Sequence, residues 1–378
     1  MDFTVNVSEE PLARLYMVVH CVSRDARCVS ADTIEKRIAA AVRPWTAALQ
    51  TALMDQHGEE AGIDQFRRFA ESFPAAYRDD HPATEAVEDI PFIEASANDS
   101  RIRAHIVASA AAKRAFVFKL YSPDRIVEVS RVLPILENMG ASVQLEHPYE
   151  ITLDDGRRLW IHDYECTLKS EIDTIRPALR DAFNDAVSAV WYGEVENDQL
   201  NELVLTTRLS ARRITILRAY GKYLRQTNTP YGLDYINSAI AGNPAIAQRL
   251  ADLFEARFSP QRVEQSSREQ AMAERLESLL DDVVSLDEDR ILRTIYRMIL
   301  ATVRTNYYQL NDDGGPKPYL SLKFLPELVP GLPEPKPAFE IFVYSPTVEG
   351  VHLRGGKVAR GGLRWSDRPE DFRTEVLG

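Results

Sequence analysis

The sequence has little cysteine, and its few cysteines are scattered. Cys21, Cys28 and Cys166 are the only three in 378 residues. A disulfide-stabilised scaffold needs several closely spaced pairs, so this class of protein is excluded. Cys21 and Cys28 have no histidine partner at metal-ligand spacing either. We therefore expect these two cysteines to be reduced, buried thiols and not metal ligands.

Long apolar runs are also missing from the sequence. No stretch approaches the ~18 to 20 apolar residues that a membrane-spanning helix needs. The N-terminal sequence MDFTVNVSEEPLARLY has no basic region followed by an apolar core, so it does not have the pattern of a signal peptide. A cytoplasmic protein without a membrane partner is predicted.

Positively charged residues are fewer than negatively charged ones. The chain has 45 Lys and Arg residues against 57 Asp and Glu residues, a formal net charge of −12. Such a surface repels phosphate backbones, and no nucleic-acid partner is expected. The content of 45% hydrophobic and 27% charged residues is that of a globular protein, and the length allows two or three domains.

The common phosphate-binding motifs are absent too. The sequence has neither GxxxxGK followed by Ser or Thr, nor GxGxxG between a strand and a helix. Its positive charge gathers instead in VHLRGGKVARGGLRW, residues 351–365, where two Gly-Gly pairs lie among four cations. The pattern favours a local anion site.

The residues of this segment suit a carboxylate. Gly361 and Gly362 lack side chains, so a ligand can approach their backbone amide groups. Arg360 and Arg364 flank them, and a guanidinium holds a carboxylate through two parallel hydrogen bonds. On a strand, Arg360 and Arg364 share one face with Gly362 between them. A small dicarboxylate is predicted; a phosphate cradle and a turn with solvated arginines remain open.

The N-terminal part mixes strand and helix patterns. Residues 12–22 predict a strand, and residues 32–58 have the apolar spacing of a helix that Pro44 kinks or divides and Gly58 ends. Asp32 and Glu35 have the spacing of a capping box. A shorter helix is expected around IDQFRRFAESF. The proline-containing stretch DDHPATEAVEDIPFIEAS is typical of a connector between domains.

Residues 115–168 predict the order β-α-β-β. Gly140 closes the helix, and Asp154-Asp155-Gly156 forms the turn between the last two strands. This order is half of a split α+β sandwich, which is typical of small regulatory domains. A packing unit without a ligand remains the alternative. His162, Asp163 and Glu165 alternate along the last strand, and we expect a solvated edge there.

From about 171 to 305 the pattern is almost wholly helical. The acid-rich stretch 281–290 predicts a loop and a helix N-terminus. Strands return after Asn311, and a helix resumes near Asp367, Pro369 and Glu370. Because the chain stops before this helix completes its apolar face, we expect a fragment of a longer protein. Four tyrosines are predicted to belong to the helix-packing core: Tyr220, Tyr223, Tyr296 and Tyr307.

The segment FVYSPTVEGVHLRGGKVARGGLRWSDRPEDFRTEVLG resembles the start of the catalytic domain in the large bacterial NAD-dependent glutamate dehydrogenases. FKLYSPDRIVEVSRVLPILENMGASVQLEHPYEI resembles the last ACT-like regulatory module of that family. LRAYGKYLRQT and LADLFEARFSP resemble its helical segment, and EEPLARLYMVVH through FPAAYRDD resembles its preceding module.

The resemblance implies a multidomain α+β protein, with ACT-like α/β sandwich modules, a mostly helical middle domain and the truncated start of an α/β dehydrogenase substrate domain. The implied boundaries are 1–95 for an ACT-like piece with long helices, 96–170 for an ACT-like module, 171–312 for the helical domain and 313–378 for the start of the catalytic domain.

The resemblance further implies oxidation of L-glutamate by NAD and water to 2-oxoglutarate, ammonia and NADH. The catalytic lysine, the catalytic aspartate and the NAD-binding domain would all lie downstream, so no catalytic residue is expected in this chain, and the isolated polypeptide should be inactive. The partners implied are L-glutamate or 2-oxoglutarate, an amino-acid effector and further copies in a homo-oligomer. A non-enzymatic module that senses amino acids or builds oligomers remains the alternative.

The resemblance also assigns the anion site. Smaller glutamate dehydrogenases carry the pattern KGGxR, whose lysine contacts the side-chain carboxylate of glutamate. Arg360, Gly361, Gly362 and Arg364 match that pattern, with Leu363 between the last two. Arginine replaces lysine at 360, which keeps the positive charge and changes the reach and geometry of the contact. These four are the expected substrate-binding residues.

Overall fold

The computed structural model forms two compact units by their internal contacts. One comprises residues 1–70 and 81–87, and the other comprises residues 71–80 and 88–378. The described residues are 2–6, 14–18, 35, 44–108, 115–169, 177–260, 265–366, 368 and 372–377.

The first unit contains a β-hairpin and a helical hairpin. Strands β1 (Asp2–Asn6) and β2 (Arg14–Val18) pair antiparallel, which confirms a strand within the predicted range. Helix α1 (Trp45–His57) starts directly after Pro44 and ends at Gly58, whose φ of 84° is readily adopted only by glycine; α2 (Glu59–Phe69) follows. The predicted capping box at Asp32 lies outside the described residues, as do Cys21 and Cys28.

The stretch predicted as a connector is mostly helical, and two boundaries between the compact units, 80/81 and 87/88, fall within it. Helix α3 spans Ala75–Asp80, and α4 spans Ala83–Asp99 with Pro91 inside it. Ile90 and Ile93 on α4 are 1% and 0% exposed. Burial of this apolar face stabilises the helix, and it outweighs the backbone hydrogen bond that Pro91 cannot form.

The second unit begins with a four-stranded antiparallel sheet in the order β3-β4-β6-β5. The predicted β-α-β-β order is confirmed, and β3 adds a fourth strand that precedes the others in the chain. Helices α5 and α6 pack against the sheet. The elements are β3 (Arg103–Ala108), β4 (Ala115–Pro123), α5 (Val129–Asn138), β5 (Ala141–Thr152), β6 (Arg158–Leu168) and α6 (Pro177–Trp191).

The predicted solvated edge at β6 is wrong, because β6 lies between β4 and β5 and is a central strand. His162 is fully buried, with Nδ1 2.9 Å from Glu146 Oε1 and Nε2 accepting the backbone N–H of Val127. Asp163 is 3% exposed. Cys166 on the same strand is a free, buried thiol.

A buried ionic cluster fastens α4 to this sheet. Lys119 Nζ on β4 lies 2.8 Å from Asp89 Oδ2 on α4 and 3.7 Å from Asp163 Oδ2. The hydroxyls of Tyr77 and Tyr121 donate to the two oxygens of Asp89 at 2.6 and 2.8 Å. Burial raises the pKa of the Asp89 carboxyl, and Lys119 opposes that shift by favouring the charged form. The cluster thus neutralises and hydrogen-bonds a carboxylate that water does not reach.

A helical layer follows the first sheet, as predicted. Ser285 caps helix α12, and Asp287, Glu288 and Asp289 occupy its first turn, which confirms the expected acidic N-terminus. The four predicted core tyrosines are 0 to 8% exposed. The helices are α7 (Leu203–Thr206), α8 (Ala211–Arg225), α9 (Leu233–Ala241), α10 (Pro244–Phe258), α11 (Gln265–Asp281) and α12 (Leu286–Ala301).

The prediction of helix to residue 305 is wrong, because the chain turns to strand after Ala301 and joins a second antiparallel sheet. The strand order is β11-β10-β9-β8-β7. Tyr223 on α8 stacks on Phe324 of β8 with ring centroids 4.1 Å apart, so α8 covers one face of the sheet. The strands are β7 (Thr302–Thr305), β8 (Leu320–Phe324), β9 (Phe339–Tyr344), β10 (Val348–Gly355) and β11 (Val358–Trp365), and the short helix α13 (Phe372–Leu377) follows.

No helix in the described ranges combines the length and the apolar character needed to span a lipid bilayer.

Candidate carboxylate site

The four predicted site residues all lie on β11, the edge strand of the second sheet. The register pairs Leu353 with Arg360, Val351 with Gly362 and Glu349 with Arg364. Directly paired residues point to the same face of a sheet. Arg360, Gly362 and Arg364 therefore share the face that carries Val351 and Leu353, and Gly361 belongs to the opposite face.

Arg360 is the more accessible of the two arginines at the site. Its side chain is exposed, and Nη1 donates to the backbone carbonyl of Leu377 at 2.5 Å. Because β11 is an edge strand, its outward backbone N–H groups have no partner strand among the described residues. A guanidinium beside such N–H groups can bind a carboxylate through several donors at once.

Arg364 is placed differently, because its side chain is only 8% exposed. Nη2 lies 3.3 Å from Glu349 Oε2 on β10, and Cζ lies 5.0 Å from the centre of the Phe372 ring. Its Nε and Nη1 are buried and have no hydrogen-bond partner among the described atoms. Asp367 and Glu370, which follow it in the sequence, lie outside the described residues.

Each glycine also has a packing reason to be glycine. A Cβ at Gly362 would lie 3.1 Å from the Phe372 ring, because α13 crosses this position closely. A Cβ at Gly361 would lie 2.9 Å from the carbonyl oxygen of Val351. Phe372 thus covers part of the backbone at Gly362, and a ligand has freer access at Arg360 and along the outer edge of β11.

Two further charged residues reach the site from elsewhere in the chain, and sequence reasoning missed both. Glu349 is 3% exposed. One of its carboxylate oxygens pairs with Arg364, and the other lies 3.5 Å from Lys222 Nζ on α8. Burial raises the pKa of Glu349, while Lys222 and Arg364 lower it. No sequence motif links them, because the contacts form only when α8 packs on the sheet.

A second candidate site is a cavity of about 810 Å³ beside the loop between β4 and α5. Asp124 in this loop has a φ of 66°, in the left-handed region. The Arg131 guanidinium lies 3.8 Å from the centre of the Trp191 ring. Charged residues of both signs line the cavity together with aromatic and aliphatic side chains. The charged residues are Asp124, Arg125, Glu128 and Arg131.

Five family models from one enzyme group match successive parts of the chain. They describe the glutamate dehydrogenase ACT2 domain (residues 1–46), helical motif 2 (52–95), the ACT3 domain (102–176), helical motif 3 (195–260) and the catalytic domain of bacterial NAD-glutamate dehydrogenase (275–378). The ACT3 match begins where β3 begins, so the extra strand belongs to that module.

Curated relatives agree with these models. Proteins named NAD-specific glutamate dehydrogenase from Halomonas elongata, Pseudomonas aeruginosa and Mycobacterium tuberculosis are 39%, 40% and 37% identical over the whole of this chain. The chain spans 23 to 24% of the length of these relatives. Over its whole length, the chain therefore resembles part of the large bacterial NAD-dependent glutamate dehydrogenases, with their ACT modules, helical motifs and the first part of their catalytic domain.

Proposed function

We propose that the complete protein oxidises L-glutamate with NAD and water to 2-oxoglutarate, ammonia and NADH, and that β11 contributes to its glutamate site. The observation that carries the proposal is the exposed Arg360 on an edge strand, inside the segment that resembles the catalytic domain. Arg360 and the outward N–H groups of β11 bind the side-chain carboxylate. The hydride acceptor NAD is held by residues outside this chain, since this sequence lacks a dinucleotide-binding fingerprint.

This assignment gives the chain no group that moves a proton or a hydride. Arg360 serves to bind and orient one end of the substrate. We also propose a cytoplasmic homo-oligomer. The low cysteine content supports a reducing compartment, and closed homo-oligomers are common among soluble enzymes.

The test is a comparison of the complete protein with this chain alone. With glutamate and NAD, the complete protein is expected to form NADH, measured by absorbance, and the 378-residue chain is expected to form none. Glutamate-dependent NADH formation by the chain alone would place the catalytic groups within it, contrary to the proposal. A complete protein that oxidises another amino acid and leaves glutamate untouched would also contradict it.

A second function, binding of an amino-acid effector, is favoured by the cavity beside Asp124. A volume of about 810 Å³ is in the range of small-molecule sites. A free amino acid carries one cation and one anion, and the cavity offers two acids and two arginines to match them. The aromatic surface of Trp191 and Tyr192 would contact an apolar side chain of the effector.

Calorimetric titration of the full chain with a panel of L-amino acids is expected to show one binder. Asp124→Asn should weaken that binding about tenfold or more, because it removes one charge-assisted contact. Asparagine suits the test, since it tolerates the positive φ at this position. Asp155→Asn is the matched control, an exposed acid in the β5–β6 turn outside the cavity. If no amino acid of the panel gives a binding heat, the effector function is contradicted, and a role in assembly remains for the module.

A further inference from the structure

A chain of alternating charges connects helix α8 to the two strands of the candidate site. Lys222 Nζ lies 2.8 Å from Glu196 Oε1 and 3.5 Å from Glu349 Oε1, and Glu349 Oε2 lies 3.3 Å from Arg364 Nη2. Lys222 Nζ also donates to the backbone carbonyl of Ser366 at 3.3 Å. Lys222 is thus linked to β11 in two ways. One is indirect, through Glu349 and Arg364, and the other is the hydrogen bond to Ser366, the residue that follows the strand.

Water hardly reaches this charge chain. Lys222 and Glu349 are 5% and 3% exposed, and the side chain of Arg364 is 8% exposed. Burying such groups is costly even when they are paired, and apolar residues of similar size are often at least as stabilising. Stability alone is therefore a weak reason for their presence. The same helix already packs on the sheet through the stacked rings of Tyr223 and Phe324.

The charges do provide directional contacts that an apolar interface lacks. Arg364 is held from one side by Glu349 and from the other by the Phe372 ring, so its position along β11 is set. Arg360 lies four residues away on the same strand and on the same face. Any slip or tilt of β11 at Arg364 moves Arg360 with it, because a strand is stiff over this distance.

We propose that Lys222 is a positioning residue for glutamate binding, acting through Glu349 and Arg364 on the placement of Arg360. The inference rests on the proposed function and deepens it, since it makes the segment that resembles helical motif 3 part of the substrate site. Lys222 itself touches no substrate. Its role is to fix the end of β11 so that the Arg360 guanidinium meets the carboxylate at the right distance.

In the complete enzyme, Lys222→Met is expected to raise the KM for glutamate by about 10- to 100-fold, the upper figure being the cost of displacing a binding group by a distance on the order of 1 Å. The KM for NAD should not change. Lys222→Arg keeps the charge and should restore most of the glutamate affinity. Glu349→Gln keeps the shape of the side chain and weakens its hold on Arg364, so it should raise the same KM even if Lys222→Met folds poorly.

The double variant Lys222→Met, Arg360→Ala separates positioning from a general loss of structure. If Lys222 acts through Arg360, then Lys222→Met changes the KM for glutamate less than about twofold in the Arg360→Ala background, since coupled residues are not additive. Arg213→Met is the matched control. Arg213 is on the same helix but pairs with Asp252 and Glu255 on α10, so its loss should lower the melting temperature and leave the KM alone.

Two results would overturn the inference while the proposed function stands. One is an unchanged KM in Lys222→Met and Glu349→Gln, with only the melting temperature lowered as in Arg213→Met. The other is a Lys222→Met effect that multiplies fully with that of Arg360→Ala. If the wild-type enzyme shows no glutamate-dependent NADH formation, or if Arg360→Ala alone leaves the KM unchanged, then the proposed function fails, and this inference fails with it.

Discussion

Arg360→Ala in the complete enzyme is expected to raise the KM for glutamate on the order of 10- to 150-fold, the effect of losing one charge-assisted contact to a carboxylate. Arg360 is exposed at the edge of the sheet, so its removal leaves no buried partner unpaired and should not disturb the fold. The affinity for NAD should stay the same, because the proposed function assigns the cofactor to residues outside this chain. Steady-state kinetics with each substrate varied in turn measures both quantities.

Arg354→Ala is the matched control for this variant. Arg354 is an exposed cation on the neighbouring strand β10, next to the inward-facing Leu353 and therefore on the opposite face of the sheet. Its removal lowers the net charge equally and should leave the KM for glutamate within about twofold. Arg360→Lys restores the pattern of the smaller dehydrogenases and should bind glutamate nearly as well as the wild type. Loss of NAD affinity with unchanged glutamate dependence in Arg360→Ala would instead establish a phosphate cradle.

Asp89→Asn is expected to destabilise the ACT-like module by about 3 to 5 kcal/mol, the range measured when one partner of a buried ion pair is removed. Lys119 is fully buried and would lose its short contact of 2.8 Å to Asp89 while keeping the longer one of 3.7 Å to Asp163. The two tyrosine hydroxyls would also lose a charged acceptor. Urea titration of the chain, followed by tryptophan fluorescence, measures the change, because Trp160 belongs to this module and Trp191 ends helix α6, which packs on its sheet.

Asp99→Asn provides the comparison, since Asp99 ends the same helix and pairs with Arg103 at the surface, 44% exposed. Exposed pairs contribute about 0 to 1 kcal/mol, so this variant should unfold almost as the wild type does. The double variant Asp89→Leu, Lys119→Met removes both charges and should recover much of the lost stability. Equal destabilisation by Asp89→Asn and Asp99→Asn would show that the buried cluster contributes no more than a surface pair.

The parts of the fold that sequence reasoning predicted are those set by local patterns. Residues 115–168 change period from strand to helix and back, and Gly140 and Gly156 occupy positive φ where a turn requires them. The parts it missed depend on distant contacts. The strand β3 is defined by its pairing with β4, Ile106 opposite Phe118, and helix α4 is held by burial of Ile90 and Ile93 despite Pro91.

The candidate site likewise has some residues that the sequence predicts and others that only the fold reveals. Strand alternation alone places Arg360, Gly362 and Arg364 on one face, so their arrangement could be predicted before the fold was known. Lys222 could not, because 144 residues separate it from Ser366, and only the packing of α8 on the sheet brings them together. The same holds for the partner of Arg364, which is Glu349 on the adjacent strand.

The early position of β3 in the chain has a practical consequence for anyone who excises the ACT-like module. A piece that starts at β4 would lack Ala104 and Ile106, which are 8% and 1% exposed and complete one side of the core. It would also turn β4, a central strand with the sequence AFVFKLYSP, into a bare apolar edge. Unprotected edges of this kind recruit strands from other molecules. Such a piece would precipitate or form aggregates. A piece that begins before Arg103 would keep β3 paired with β4 and so protect that edge.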